Sequence, residues 1–110
     1  MEAIKSVLKE ELANSLAMKK NYERELAKLP KGSLIKKKVK GHEYYYLVVR
    51  EEGKVKFIYK GKKVSDKEIQ KYKQAKEYRA KYRKLLSEVK KQIKFLRSVT
   101  KKKILEVLEN

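Results

Sequence analysis

Hydrophobic side chains recur every three or four positions through the first part of the chain. The stripe consists of Leu8, Leu12, Ser15 or Leu16, Lys19, Tyr22, Leu26 and Leu29, and no glycine or proline interrupts residues 2–29. This spacing places the stripe on one face of a helix over 2–29. The helix is predicted to end at Pro30 and Gly32, because the residue before proline disfavours helical backbone angles and glycine permits a turn.

The same periodicity returns in the last third of the chain. Ser65 and Glu68 form a capping-box pattern, which marks the start of a helix. The seam that follows consists of Tyr72, Ala75, Arg79, Tyr82, Leu86, Val89, Ile93 and Leu96. It predicts a helix over 66–98 that packs against the first one. A helical tail over 100–109, which contains Ile104, Leu105 and Leu108, either continues this helix or forms a short third one.

Residues 33–61 have the composition of strands. Three runs rich in Val, Ile, Tyr and Phe are separated by Gly41 and Gly53, which predicts an antiparallel β-meander. The expected fold is therefore α+β, a hairpin of two long antiparallel helices with an inserted three-stranded meander. All 110 residues are assigned to a single domain.

Side-chain alternation suggests a register for the meander. Three-residue loops, Gly41 to Glu43 and Glu51 to Gly53, would oppose Val49 to Val55 and Leu47 to Phe57, so that one face is apolar throughout. Two-residue loops would oppose Val49 to Lys56 and mix the two faces. The three-residue register is the one predicted here. It also opposes Tyr45 to Tyr59 and Val39 to Tyr45.

In this register the second face of the sheet is basic and carries tyrosines. Its predicted members are Lys36, Lys38, Lys40, Tyr44, Tyr46, Val48, Arg50, Lys54, Lys56, Ile58 and Lys60. Lysines there would neutralise phosphates, and the tyrosines would pack on a sugar or base or reach into a groove. The alternative is a solvated outer face whose lysines protect the strand edges from aggregation.

Net charge strengthens the first interpretation. The chain has 32 Lys and Arg against 14 Asp and Glu, a formal charge of +18. Residues 1–29 have 6 basic and 5 acidic side chains, whereas residues 30–64 have 11 and 3, and residues 65–110 have 15 and 6. A surface of this kind attracts polyanions. The expected partner is nucleic acid, with DNA favoured over RNA, and Lys73 and Lys76 of the second helix join the predicted contact residues.

Catalytic chemistry is poorly represented. The chain has no cysteine and a single histidine, His42, so neither a thiolate metal site nor a cysteine nucleophile is expected. Glu51 and Glu52 are adjacent in a predicted turn, where their side chains diverge into solvent, and no phosphate-binding loop or nucleophile elbow occurs. We expect no enzyme activity, metal, cofactor or small-molecule substrate. Without a signal peptide or an apolar span, a cytoplasmic location without membrane attachment is expected.

An interaction module is the alternative from another class. In it the long helical seams would assemble into a dimeric coiled coil, and the basic surface would dock an acidic protein as an accessory factor or inhibitor. A homodimer through the helical hairpin is compatible with either function. Arg79 lies within the seam, where it is expected to extend along its apolar stem or to pair with a glutamate of the first helix such as Glu23.

Two segments carry a family resemblance. They are Leu29-Pro30-Lys31-Gly32-Ser33-Leu34, and Gly41-His42-Glu43-Tyr44-Tyr45-Tyr46-Leu47 followed by Arg50, Gly53-Lys54-Val55 and Tyr59-Lys60-Gly61-Lys62. Over about residues 20–97 the chain resembles an uncharacterised family of small basic prokaryotic proteins, which implies no activity. The strand segment is also similar to the three-stranded amino-terminal DNA-binding sheets of phage and transposon integrases. That similarity implies contacts by Tyr44, Tyr46, Arg50, Lys54 and Lys56.

Overall fold

The computed structural model describes the backbone of residues 2–109 and the side chains of residues 3–101. It has two helices and a three-stranded antiparallel sheet, which confirms the α+β fold with an inserted meander. In chain order the elements are α1 (Glu2–Lys28), β1 (Ser33–Val39), β2 (His42–Glu51), β3 (Lys54–Gly61) and α2 (Asp66–Glu109). Backbone contacts divide the chain into two compact units, Met1–Ala27 with Lys81–Asn110, and Lys28–Ala80.

The first unit consists of α1 and the later part of α2. The predicted stripes are the least exposed positions of both helices, with Ser15 on α1 and Val89, Ile93 and Leu96 on α2 all buried. Tyr22 and Tyr82 contact each other with ring centroids 6.1 Å apart, so the end of α1 meets the start of this part of α2. Such contacts between seams are those of a helical hairpin.

Helix α2 begins as its sequence predicts. The Ser65 hydroxyl accepts a hydrogen bond from the Glu68 amide at 3.2 Å, and the Ser65 carbonyl accepts one from the Ile69 amide at 3.0 Å. The Glu68 carboxylate pairs with Lys60, Oε1 to Nζ 3.7 Å. The helix continues without interruption through the predicted tail to Glu109. The apolar pattern expected in that tail lies outside the described side chains.

The register of the meander differs from the predicted one. Val49 pairs with Lys56, Leu47 with Ile58 and Val39 with His42, so both hairpins have two-residue loops. The three-residue loops and the pairs derived from them are wrong. A bulge lies near the end of β3, where Tyr46 pairs with Tyr59 but Tyr45 pairs with Gly61, which leaves Lys60 as the extra residue.

Turn conformation explains this register. Lys40 and Gly41 have φ angles of 51° and 82°, and Glu52 and Gly53 have φ angles of 50° and 76°. Positive φ at both central residues is the requirement of a type I′ turn, whose twist matches that of the flanking strands. Each glycine therefore takes the second turn position, and the residue before it takes the first.

The second unit has its own small core. Leu47 and Val49 are each 7% exposed, and the chain passes over them at Gly32. A Cβ atom at Gly32, whose φ is +98°, would lie 2.9 Å from the Val48 carbonyl oxygen and 3.0 Å from the Leu47 Cδ1. The backbone therefore approaches β2 more closely than any side chain at this position allows.

Arg79 of α2 forms a hydrogen bond with the segment that precedes β1. Its guanidinium donates a hydrogen bond of 2.7 Å to the Pro30 carbonyl oxygen, and its side chain is half-buried. Glu23, the partner suggested by the sequence, instead pairs with Lys19 at 3.9 Å. Arg79 thus satisfies a backbone carbonyl near the end of α1. Within the described residues, neither helix combines the length and apolar character needed to cross a membrane.

Candidate nucleic-acid interface

The register assigns every sheet residue to one of two faces. Strand pairing places Leu47 opposite Leu34 and Ile58, and alternation then defines the rest of what we call the core face. Its members are Leu34, Lys36 and Lys38 of β1, Glu43, Tyr45, Leu47, Val49 and Glu51 of β2, and Lys54, Lys56 and Ile58 of β3. Leu47 and Val49 are buried, whereas the lysines are exposed.

The opposite side, which we call the aromatic face, has a different chemistry. Its members are Ser33, Ile35, Lys37 and Val39 of β1, His42, Tyr44, Tyr46, Val48 and Arg50 of β2, and Val55, Phe57 and Tyr59 of β3. It contains no carboxylate. Phe57 is 54% exposed and Tyr59 is 59% exposed, so this face is not covered over β3 in the described part of the chain.

Two lysines of the core face are paired with carboxylates. Lys36 Nζ lies 3.2 Å from Glu43 Oε2, and Lys56 Nζ lies 3.2 Å from Glu51 Oε2. The hydrogen bond from Lys36 to Glu43, together with one to Tyr45, raises the pKa of Lys36 above its ordinary value. The Lys36 ammonium group therefore stays charged. The Lys36 and Lys56 side chains are each already partly neutralised by a carboxylate where a phosphate would have to bind.

The predicted basic platform is divided by this register. Lys36, Lys38, Lys54 and Lys56 lie on the core face, whereas Tyr44, Tyr46 and Arg50 lie on the aromatic face. Lys40 lies in the first turn and Lys60 at the bulge. The prediction that these residues share one face is wrong, and the positions implied by the integrase resemblance are separated in the same way. Whether each of them contacts nucleic acid stays a prediction.

The aromatic face instead brings four rings together. Tyr59 lies between Tyr44 and Tyr46, with centroid distances of 6.1 Å and 5.6 Å, and His42 lies 6.4 Å from Tyr44. The rings are tilted or edge-on to one another, as aromatic pairs prefer. His42, expected to be a turn residue, is the first residue of β2 and one end of this row.

Two lysines lie against rings of the aromatic face. Lys37 Nζ is 4.8 Å from the centroid of Phe57, and Lys62 Nζ is 5.7 Å from the centroid of Tyr44. Reasoning from the sequence omitted Lys37, Phe57, Tyr59 and Lys62 from the site. The signal that could have identified them is the position of Gly41 and Gly53, since glycine readily adopts the positive φ that the second residue of a type I′ turn requires.

Helix α2 presents a second basic surface. Between residues 81 and 101 it has eight exposed cations and one acidic residue, Glu88. The cations are Lys81, Arg83, Lys84, Lys90, Lys91, Lys94, Arg97 and Lys101. In the part of the chain that the structure describes, no carboxylate pairs with any of the eight. Earlier on the same helix, the predicted contacts Lys73 and Lys76 are also exposed.

The described residues contain no group of three or more His, Asp or Glu side chains placed to hold a metal ion. The aromatic face and the basic surface of α2 present aromatic rings, ammonium groups and guanidinium groups. Such groups bind anions and stack on planar rings.

Comparison with known protein families adds a classification. The sequence model of a family described as a domain of unknown function (DUF6788) matches residues 1–71, which include α1, the whole meander and the first turn of α2. The chain belongs to the DUF6788 family. Membership confirms the expectation of a family without an established activity. A search of curated proteins and of solved structures found no match.

Proposed function

We propose that this DUF6788 protein binds nucleic acid without catalysing a reaction on it. The observation that carries the proposal is the surface of α2 between residues 81 and 101, which has eight exposed cations and no ion pair among the described residues. Surface helices commonly neutralise such charges with carboxylates one turn away. Glu88 lies one turn from Lys84 and Lys91, but no described carboxylate forms an ion pair with any of the eight cations. Their ammonium and guanidinium groups can therefore neutralise phosphates.

Helix geometry suits a phosphate backbone. Arg83, Lys90 and Arg97 follow one another at intervals of seven residues, which is about two turns and about 10 Å along the helix axis. They form a row on one side of α2, and Lys84, Lys91 and Lys94 lie beside it. A row of this length spans several phosphates of a bound strand or duplex.

Sequence readout is expected to be limited. Bidentate recognition of guanine is mainly an arginine contact, and the chain has only five arginines among its 32 basic residues. Lysine acts as a flexible point charge, which favours phosphate contacts over base-edge contacts. DNA and RNA share the phosphate chemistry on which this proposal rests.

A salt titration tests the proposal. Affinity for a labelled duplex and for single strands is measured by fluorescence anisotropy at several salt concentrations. With four to seven phosphates contacted, the logarithm of affinity should fall against the logarithm of salt with a slope of about −4 to −6 on B-DNA. A slope near zero for every nucleic acid would refute phosphate neutralisation.

A protein-interaction function is the second candidate, and a separate observation favours it. Ile4, Val7 and Phe95 in the first unit are 54%, 57% and 65% exposed. Exposed apolar side chains on helices can contact a partner helix. Sedimentation of the protein over a range of concentrations tests the homodimer, because a species that stays monomeric throughout would contradict it.

A further inference from the structure

We infer that the aromatic face of the sheet is a stacking surface for the bases of single-stranded nucleic acid. This inference rests on the proposed function and gives it a substrate class. Its basis is the juxtaposition of exposed rings with cations on a face that contains no carboxylate.

The exposure of the rings is the first argument. Phe57 and Tyr59 are each more than half exposed, and Val39 and Val55 on the same face are 41% and 49% exposed. Apolar groups gathered on one exposed surface are typical of a binding site, whereas scattered ones are not. Phe57 and Tyr59 also lie two positions apart on β3, so their side chains leave the same face about 7 Å apart.

Charge identifies the occupant. Lys37, Arg50 and Lys62 lie on or beside this face, and no described carboxylate pairs with them. Lys37 and Lys62 have their ammonium groups within 4.8 Å and 5.7 Å of ring centroids. A base that stacks on one of these rings would displace the lysine ammonium group from it. The phosphate of the same nucleotide would then lie within reach of that ammonium group. The occupant must therefore combine planar rings with negative charge.

A second copy of the chain fits this face poorly. Pairing two aromatic faces would bring Lys37, Arg50 and Lys62 of one copy against those of the other, and each copy has a net charge of +18. Like charges in a desolvated interface oppose such an association. An anionic partner avoids this repulsion.

The accessibility of the base faces determines whether a single strand or a duplex can stack on this surface. In a duplex each base is stacked between its neighbours and only its edges are accessible, whereas an unpaired strand can splay its bases onto aromatic side chains. Tyr44, Tyr46, Phe57 and Tyr59 supply rings that can stack on any base, and among these four side chains only the three tyrosine hydroxyls could hydrogen-bond to a base edge. Binding through this face is therefore expected to tolerate many sequences.

Three ligands of about 12 nucleotides separate stacking from phosphate contact. They are an oligothymidylate strand, an abasic strand with the same number of phosphates, and a duplex. We expect the wild-type protein to bind the thymidine strand roughly 5-fold or more tightly than the abasic one, because a stacked base contributes about that much or more. This measurement needs no variant.

Ring substitutions locate the effect. Phe57→Ala and Tyr59→Leu should each weaken binding of the thymidine strand by roughly 5-fold to 100-fold, with the salt slope unchanged because no charge is lost. The matched control is Ile58→Ala, on the same strand but on the core face and 45% exposed. It should bind as the wild type does, and circular dichroism melts confirm that all three variants are folded.

Each outcome has a defined meaning. Equal affinity of the wild type for the thymidine and abasic strands, or ring variants that bind as the wild type does, would overturn stacking while leaving phosphate binding intact. A change in oligomeric state caused by Phe57→Ala would also overturn it, since a second copy would then cover the face. Failure to bind any of the three ligands would refute the proposed function itself.

Discussion

Gly32 and Gly41 differ in surroundings although both have positive φ. Alanine at Gly41, where φ is +82° and no atom lies within 4 Å of the added Cβ, should cost about 1 to 2 kcal/mol of unfolding free energy for the left-handed backbone alone. At Gly32 the Cβ would also collide with the Val48 carbonyl oxygen at 2.9 Å. The required displacement should add about 1 to 3 kcal/mol.

Urea denaturation of Gly32→Ala and Gly41→Ala measures this difference directly. The Gly41 variant serves as the control for backbone conformation. Equal losses of unfolding free energy in the two variants would contradict the close approach of residue 32 to β2.

Leu47 and Phe57 lie on opposite faces and should respond differently to truncation. Leu47 is 7% exposed, so Leu47→Ala should cost about 2 to 5 kcal/mol through lost burial and the cavity left behind. Phe57 is 54% exposed, and Phe57→Ala should cost clearly less. Thermal melts rank the two variants. A larger loss for Phe57→Ala would mean that the faces are reversed.

The hairpin between β2 and β3 is the element whose register matters most to the site. Val48 pairs directly with Phe57, whereas three-residue loops would pair it with Lys56. Directly opposed residues of an antiparallel pair have Cα atoms about 4.5 to 5.5 Å apart, within the range that a disulfide spans. Because the chain has no cysteine, introduced pairs can be read without background.

We therefore expect Val48→Cys with Phe57→Cys to form a disulfide on mild oxidation. The matched pair, Val48→Cys with Lys56→Cys, should remain reduced because its side chains leave opposite faces. Mass spectrometry after alkylation measures both. Oxidation of the second pair in preference to the first would contradict the observed register and support the three-residue one.

Helices and strands could be predicted from this sequence because periodicity and breakers agree along it. Three-four spacing identified the buried sides of α1 and α2, and Ser65 and Glu68 marked the start of α2. The meander followed from β-branched and aromatic runs separated by Gly41 and Gly53. These signals depend only on residues close together in the sequence, and the structure confirms the helices and strands that they predict.

The faces of the sheet could not be predicted by the same means. The three-residue register assumed that one face must be wholly apolar, but the described structure leaves Phe57 and Tyr59 exposed and buries little beyond Leu47 and Val49. Turn conformation at Lys40-Gly41 and Glu52-Gly53 determines the register instead. The observed register differs from the predicted one by one residue. Each side chain of β2 therefore shares its face with different residues of β1 and β3, and the predicted platform is divided between the two faces.

At the scale of the whole molecule, charge is distributed unevenly. Residues 1–29 have 6 basic and 5 acidic side chains, and on α1 Lys19 is paired with Glu23. Between residues 81 and 101, α2 has eight cations and one carboxylate. If nucleic acid binds a particular surface, removing charges from α2 must matter more than removing the same number from α1.

The most direct test compares two double variants of equal charge. Lys91→Gln with Lys94→Gln removes two exposed cations from α2, and Lys9→Gln with Lys20→Gln removes two exposed cations from α1. In a salt titration of nucleic-acid affinity, the α2 variant should lose about one slope unit per lysine, whereas the α1 variant should keep the wild-type slope. Equal losses in both variants, or no loss in the α2 variant, would contradict a phosphate-binding surface on α2.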